Sequence, residues 1–218
     1  MIQAVIFDMD GLLVDSELVG LDVLADCARK QQVEMTLEDI KKTLGATYAY
    51  AIDLYGRLYP QMDPVKLFED FEESMQQLAR EGKIPLKKGA KELLAYLQAH
   101  DIPRAVASSS PESVVRLFLG KTGVLDQFQA LITGDLGLPS KPAPDMFLSA
   151  AKALGAKPEN CLVLEDSVNG VKAGRNAGMV VGMVPDVLPY REELKPYCDH
   201  VLPDLGAAIA ILQEKNAQ

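Results

Sequence analysis

The 218-residue chain has no tryptophan, two histidines and three cysteines, and each scarcity removes a class of chemistry. Cys27, Cys161 and Cys198 are odd in number, widely spaced and without a C-x-x-C pair. They indicate neither a disulfide framework nor a thiolate zinc site, and a reduced, cytoplasmic setting is expected. His100 falls at a helix end and His200 in the last strand pattern, so neither is a catalytic candidate. Cations are outnumbered, with 22 Lys and Arg against 31 Asp and Glu and a formal net charge of −9. That balance argues against a broad nucleic-acid or anionic-membrane surface, which needs clustered Lys and Arg. No apolar run approaches the ~18 residues that span a bilayer. The opening MIQAVIFDMDG has no basic lead and reads as a strand, not a signal peptide. A small-molecule partner is expected, with a monomer as the simplest state.

What is present is a pattern of short apolar runs. Residues 3–7, 103–107, 130–133, 161–164, 180–184 and 199–202 are rich in β-branched and aliphatic side chains and read as six buried strands. Helical periods between most of them, at 112–121, 144–154 and 167–177, predict an α/β fold with a parallel sheet. Ser110 ahead of Pro111, and Pro144, look like helix starts. The gap between the first two strands is too long, because a parallel crossover needs only a dozen or more residues. Residues 87–100 can supply that crossover helix, which leaves 17–82 with helical patterns only. The chain is therefore expected to divide into a Rossmann-like core, residues 1–16 and 83–218, and an inserted helical cap, residues 17–82, with hinges near 14–17 and 82–86. Gly170, Gly174 and Gly178 recur every four residues after the fourth strand and are expected to allow close packing on the sheet.

In an open parallel sheet, functional groups gather beyond the carboxyl ends of the strands. The run AVIF leads into Asp8-Met9-Asp10-Gly11, RAVA into Ser108-Ser109-Ser110, and CLVL into Glu165-Asp166-Ser167, while Lys141 arrives in the loop before a helix. Asp8, Asp10, Glu165 and Asp166 would repel one another unless a cation sat among them. With oxygen the only donor type, Mg²⁺ completed by waters is the natural choice. Serine hydroxyls, backbone N–H groups and Lys141 would supply donors for a phosphate. Singly, each of these residues has a plain structural alternative: a turn for Asp8-x-Asp10-Gly11, a helix cap for Asp166 or Ser167, a solvated charge for Lys141. Ser110 reads as an N-cap more than as a ligand.

Asp8-Met9-Asp10-Gly11 with residues 12–16, then Ser108, Lys141-Pro142-Ala143-Pro144-Asp145 and Glu165-Asp166-Ser167, resemble the four ordered motifs of the haloacid dehalogenase superfamily. The similarity is to the branch holding β-phosphoglucomutases and sugar-phosphate phosphatases. The resemblance implies a phosphatase of small phosphorylated metabolites in which Asp8 is the nucleophile and Asp10 the general acid and base. It implies that Ser108, Ser109 and Lys141 hold the phosphoryl oxygens. It also implies an Mg²⁺ site made of Asp8, Asp10 through its main-chain carbonyl, Asp166, and Glu165 through water. Mutases of this branch carry a His shortly after the first motif and basic residues in the first cap loop. Here Gly20 and Leu44-Gly45-Ala46-Thr47-Tyr48 stand instead, which favours a phosphatase over a phosphomutase. A phosphoreceptor or idle metabolite-binding protein is the alternative of another class, and the presence of both Asp8 and Asp10 speaks against it.

Overall fold

The computed structural model describes residues 1–216 and shows a sheet covered by helices. Six parallel strands, β1 (Ala4–Phe7), β2 (Arg104–Ala107), β3 (Ala130–Ile132), β4 (Cys161–Glu165), β5 (Val180–Met183) and β6 (His200–Val201), lie in the order β3-β2-β1-β4-β5-β6. The first, second and fourth strands are buried at every residue, as expected where helices cover both faces of a parallel sheet. β1 is central: Phe7 pairs with Val106 on one side and Leu164 on the other. One step further along that register, Asp8 stands level with the ends of both neighbours. Sheet order reverses at β1, so the polar strand ends meet at a topological switch point.

Between β1 and β2 the chain makes α1 (Ser16–Lys30), α2 (Leu37–Lys41), α3 (Tyr48–Leu58) and α4 (Pro64–Arg80), then returns through α5 (Ala90–Ala99). Local chemistry sets the starts of these helices. Thr36 caps α2 by accepting from the Asp39 amide, Thr47 caps α3 from Tyr50, and Asp63 ahead of Pro64 caps α4 from Val65 and Lys66. α1 packs along α4, and Tyr55, Leu67, Met75 and Ala79 are buried beneath them. The outgoing and returning linkers are paired: Asp15 N–H donates to Pro85 O and Lys87 N–H to Leu13 O, both at 2.9 Å. Lys87 Nζ adds ion pairs to Asp15 at 3.0 Å and to Asp186 at 2.5 Å.

The remaining helices are α6 (Glu112–Lys121), α7 (Asp145–Ala153), α8 (Val168–Asn176) and α9 (Ala208–Asn216). The sequence pattern does not foretell α9, while the six strands and α6, α7 and α8 lie within a residue of their expected ranges at each end. The larger difference is at α5, which begins at Ala90 and not at Lys87. Residues 87–89 are committed elsewhere, Lys87 to the linker pairing and Gly89 to a left-handed turn with φ +80°. A Cβ on Gly89 would fall 2.1 Å from Gly206 N, so the turn accepts only glycine.

Candidate active site

Asp8 leaves β1 with its amide bonded to Leu164 O, which fixes its backbone between β1 and β4. Its Oδ1 accepts from Lys141 Nζ at 2.5 Å, and the same ammonium donates to Glu165 Oε1 at 2.6 Å and to Ala107 O at 3.1 Å. The lysine side chain is 7% exposed and lies 4.9 Å from the Phe147 ring centroid, so the pair sits in a low-dielectric wall. Burial alone would lower the Lys141 pKa. The charges of Asp8 and Glu165 outweigh it, and the ammonium is held charged well above its usual range. Burial pushes Asp8 up to about 8 against the attraction of Lys141, with Glu165 and Asp10 adding to the rise.

Glu165 is fully buried, and both of its oxygens are engaged. Oε1 meets Lys141, while Oε2 accepts from the Asp166 amide, the Ser167 amide and the Ser167 hydroxyl at 2.9–3.0 Å. Those bonds aim it at the lysine. The Ser167 hydroxyl oxygen also accepts from Gly170 N–H, which makes Ser167 the cap of α8. Gly170 does more than permit close packing: an added Cβ there would lie 1.8 Å from the Glu165 carboxyl carbon. Gly174 has the role expected of it, facing Val181 and Val163 on the sheet.

Asp10 is gripped by serines. Ser16 donates to Oδ1 at 2.9 Å, Ser110 to Oδ2 at 2.8 Å and Ser108 to Oδ2 at 3.4 Å. Burial raises the Asp10 pKa, and the hydrogen bonds from Ser110 and Ser16 pull against that rise. This corrects the reading of Ser110 as a helix cap. α6 starts at Glu112 with Pro111 at the cap position and no side-chain cap, and the Ser110 hydroxyl is spent on Asp10. Ser108 is buried and accepts from the Ser110 amide at 3.0 Å, which orients its hydroxyl toward Asp10. Ser109 is exposed and lines the open side of the site. Ser16 and Ser110 went unread as partners of Asp10. Their signal was weak, since serines after a strand or before a helix are common.

Asp166 lies over Gly11, with Oδ2 only 2.6 Å from where a Gly11 Cβ would stand, and Gly11 has φ +73°. Burial raises the Asp166 pKa well above normal, and the charges of Glu165, Asp8 and Glu17 add to it. Among the described residues, no three His, Cys, Asp or Glu side chains gather closely enough to hold an ion by themselves. The Asp10 carboxylate faces serines, Glu165 faces Lys141 and Asp8 gives one oxygen to the same lysine, which leaves the other Asp8 oxygen and the Asp166 carboxylate. Those two carboxylates, with the Asp10 main-chain carbonyl and waters, would form an oxygen set suited to Mg²⁺, which keeps much of its hydration, and unsuited to ions needing an all-protein cage.

Two cavities meet at this edge. One of about 600 Å³ holds Asp8, Lys141, Asp166 and Ser109 and opens past Pro189 and Arg191. The other, of about 480 Å³, starts at Asp10, Ser16 and Ser110 and runs between α1, α4 and α6. Glu17 borders both. It lies in the first turn of α1, and its pKa is raised to about 7 by burial, then by Asp10 and Asp186, against Lys87. Tyr48, at the start of α3, packs on Phe68 with ring centroids 4.7 Å apart.

The family profile described as haloacid dehalogenase-like hydrolase matches residues 2–178. The chain is 34% identical over 194 residues to hexitol phosphatase B of Escherichia coli, covering 84% of each. It is 33% identical over 206 residues to the bifunctional riboflavin kinase/FMN phosphatase of Arabidopsis thaliana, covering 93% of this chain but spanning only 53% of that longer protein. Among solved structures, an HAD family hydrolase from Deinococcus radiodurans with bound phosphate and sodium superposes with a TM-score of 0.83 at 27% identity, covering 98% of this chain and 96% of that one. With four motif segments converging at the end of a β3-β2-β1-β4-β5-β6 sheet, the chain belongs to the haloacid dehalogenase-like hydrolases.

Proposed function

We propose that the protein is an Mg²⁺-dependent phosphatase that hydrolyses a small phosphorylated metabolite through an aspartyl phosphate on Asp8. The observation that carries this reading is the pairing of two carboxylates two residues apart in different settings. Asp8 is held by an ammonium, and Asp10 is held by hydroxyls at the mouth of the inner cavity. An Asp8 oxygen attacks phosphorus, the ester P–O bond breaks, and Asp10 gives its proton to the departing alkoxide. Water then attacks the same phosphorus and yields its proton to Asp10. The P–O bond to Asp8 breaks, releasing inorganic phosphate and regenerating both carboxyls. The raised pKa of Asp10 suits a group that must carry a proton in the first step.

Lys141 and Ser109 would hold the phosphoryl oxygens, Ser108 would orient Asp10, and Glu165 would keep Lys141 in place. Asp8, Asp166 and the Asp10 carbonyl would hold the Mg²⁺, which when bound offsets carboxylate repulsion and charge on the phosphoryl oxygens. Residues 17–82 would act as a cap moving on the paired linkers at 14–17 and 82–86. The three free cysteines fit a reduced, cytoplasmic monomer. Among the described residues, no helix is long and apolar enough to cross a membrane. Release of inorganic phosphate from p-nitrophenyl phosphate, followed with and without chelator, tests the activity. Asp8→Asn should abolish it with the fold intact. Turnover that persists in chelator or in that variant refutes the reading. A phosphomutase would isomerise a hexose phosphate without releasing phosphate.

A further inference from the structure

The inner cavity has a chemical character that the reaction does not require. Its charged lining residues are Asp10, Glu17 and Glu72, all acidic, with no Lys or Arg. Its walls are Leu21, Leu24, Phe68, Phe71, Met75 and Phe118, contributed by both the inserted helices and the core. At about 480 Å³ it lies within the ~300–1,000 Å³ of small-molecule sites. Glu17 stands at its entrance, held against the turn after β1 with Cγ 3.0 Å from where a Gly11 Cβ would be. The one nearby ammonium, Lys87, is already shared by Asp15 and Asp186, and the Glu17 carboxylate enters none of the described hydrogen bonds or ion pairs. It is an acceptor lacking a protein donor, beside the residue that would face the ester oxygen.

We propose that this cavity receives the leaving group of the substrate, that this group is an uncharged alcohol with several hydroxyls and one apolar face, and that Glu17 accepts a hydrogen bond from one of those hydroxyls. The inference rests on the phosphatase reading and adds the substrate class to it. A second phosphate or a carboxylate on the leaving group would enter a cavity whose charged lining residues are all acidic, with no Lys or Arg to neutralise it. The chemistry is shared by polyol monophosphates and nucleoside 5′-monophosphates, which differ in whether a flat face lies on Phe68 and Phe71.

The test compares kcat/KM of the full chain with Mg²⁺ on a hexitol 6-phosphate, a nucleoside 5′-monophosphate, a hexose 1,6-bisphosphate, phosphoglycolate and p-nitrophenyl phosphate. Either hydroxylated monophosphate should exceed the bisphosphate and phosphoglycolate by about tenfold or more, and whichever leads identifies the source. In Glu17→Gln, the ratio of the preferred substrate to p-nitrophenyl phosphate should fall about tenfold, the scale of a hydrogen bond to a charged group. Glu17→Lys should raise the bisphosphate relative to the preferred substrate. Preference for a doubly anionic substrate, or an unchanged ratio in Glu17→Gln, overturns the proposal. Binding to Asp8→Asn, measured by calorimetry with the same compounds, separates the two readings. If that variant still binds hydroxylated monophosphates over bisphosphates but the wild type turns over nothing, the phosphatase reading fails alone. If it binds bisphosphates better, the cavity assignment fails whatever the kinetics show.

Discussion

The Ser110 hydroxyl donates to Asp10 Oδ2 across 2.8 Å and so ties the end of β2 to the end of β1, 100 residues apart in the chain. With Ser16 on the other oxygen, it fixes the orientation of the Asp10 carboxyl. Ser110→Ala should lower kcat by about tenfold or somewhat more, since a hydrogen bond to a charged group is worth ~1.5–3 kcal/mol. That bond lowers the Asp10 pKa, so its loss raises it further, and the Asp10-dependent limb of the pH–rate profile should move to higher pH. An unchanged profile would mean that Asp10 is oriented by Ser16 and Ser108 without help from Ser110.

Lys141 neutralises two buried carboxylates at once. Lys141→Ala leaves Asp8 and Glu165 without a cationic partner in surroundings where their side chains are 11% and 1% exposed. Breaking such a pair costs about 3–5 kcal/mol, so the denaturation midpoint should drop sharply. Activity should fall ~10²–10³-fold through loss of charge on the phosphoryl side. Retained stability would show that water or counter-ions replace the ammonium.

Gly170 is required by Glu165 and not by its own helix geometry. Gly170→Ala should cost about 1–3 kcal/mol as an overpacked site and reduce turnover by moving Glu165 off Lys141. Gly120→Ala in α6 is the control. Its nearest neighbour, Leu125 Cδ2, lies at 3.8 Å, and helix propensity should give ~0.5–1 kcal/mol of stabilisation there. Equal effects at the two positions would refute the Glu165 explanation.

Without metal, the carboxylates at the strand ends oppose folding near neutrality. The folded pKa of Asp8 is raised to about 8, so its contribution is fully present below the ordinary value of 3.8 and is lost as pH rises through about 8. The Lys141 pKa is also raised, and its contribution is lost only at much higher pH. In chelator, the melting temperature should therefore decline from pH 5 to pH 8. Asp8→Asn should flatten that decline, and Mg²⁺ should restore the wild-type value at pH 8. A flat profile in chelator would place the carboxylates in a more solvated site than the structure does.

Hydrophobic runs such as AVIF and CLVL are legible in the sequence because a strand covered on both faces must be apolar at every position. The same logic exposes Asp8, Ser108 and Glu165, since polar residues that interrupt such runs fall at strand ends. Thr36, Thr47 and Asp63 mark helix starts by local bonding that needs no knowledge of the rest of the chain. Ser110 defeats that logic, because its neighbour Pro111 suggests a cap while its hydroxyl is taken by a residue far away in sequence. Glu17 and Gly170 are equally silent, since their neighbours, the cavity and the Glu165 carboxyl, exist only after the sheet is assembled.

The sequence by itself determined the alternation of strands and helices, the helical insertion after the first strand, and the kinds of groups delivered to one edge. These follow from periodicity and residue chemistry over a few positions. Only the tertiary structure decided which hydroxyls hold Asp10, that Glu165 serves Lys141, that Gly89 abuts Gly206, and that the charged residues lining the cavity beyond Asp10 are all acidic. Those facts depend on strand register and on how α4 meets α6. Both are settled by burying apolar surface across the whole molecule, so no single stretch of sequence encodes them.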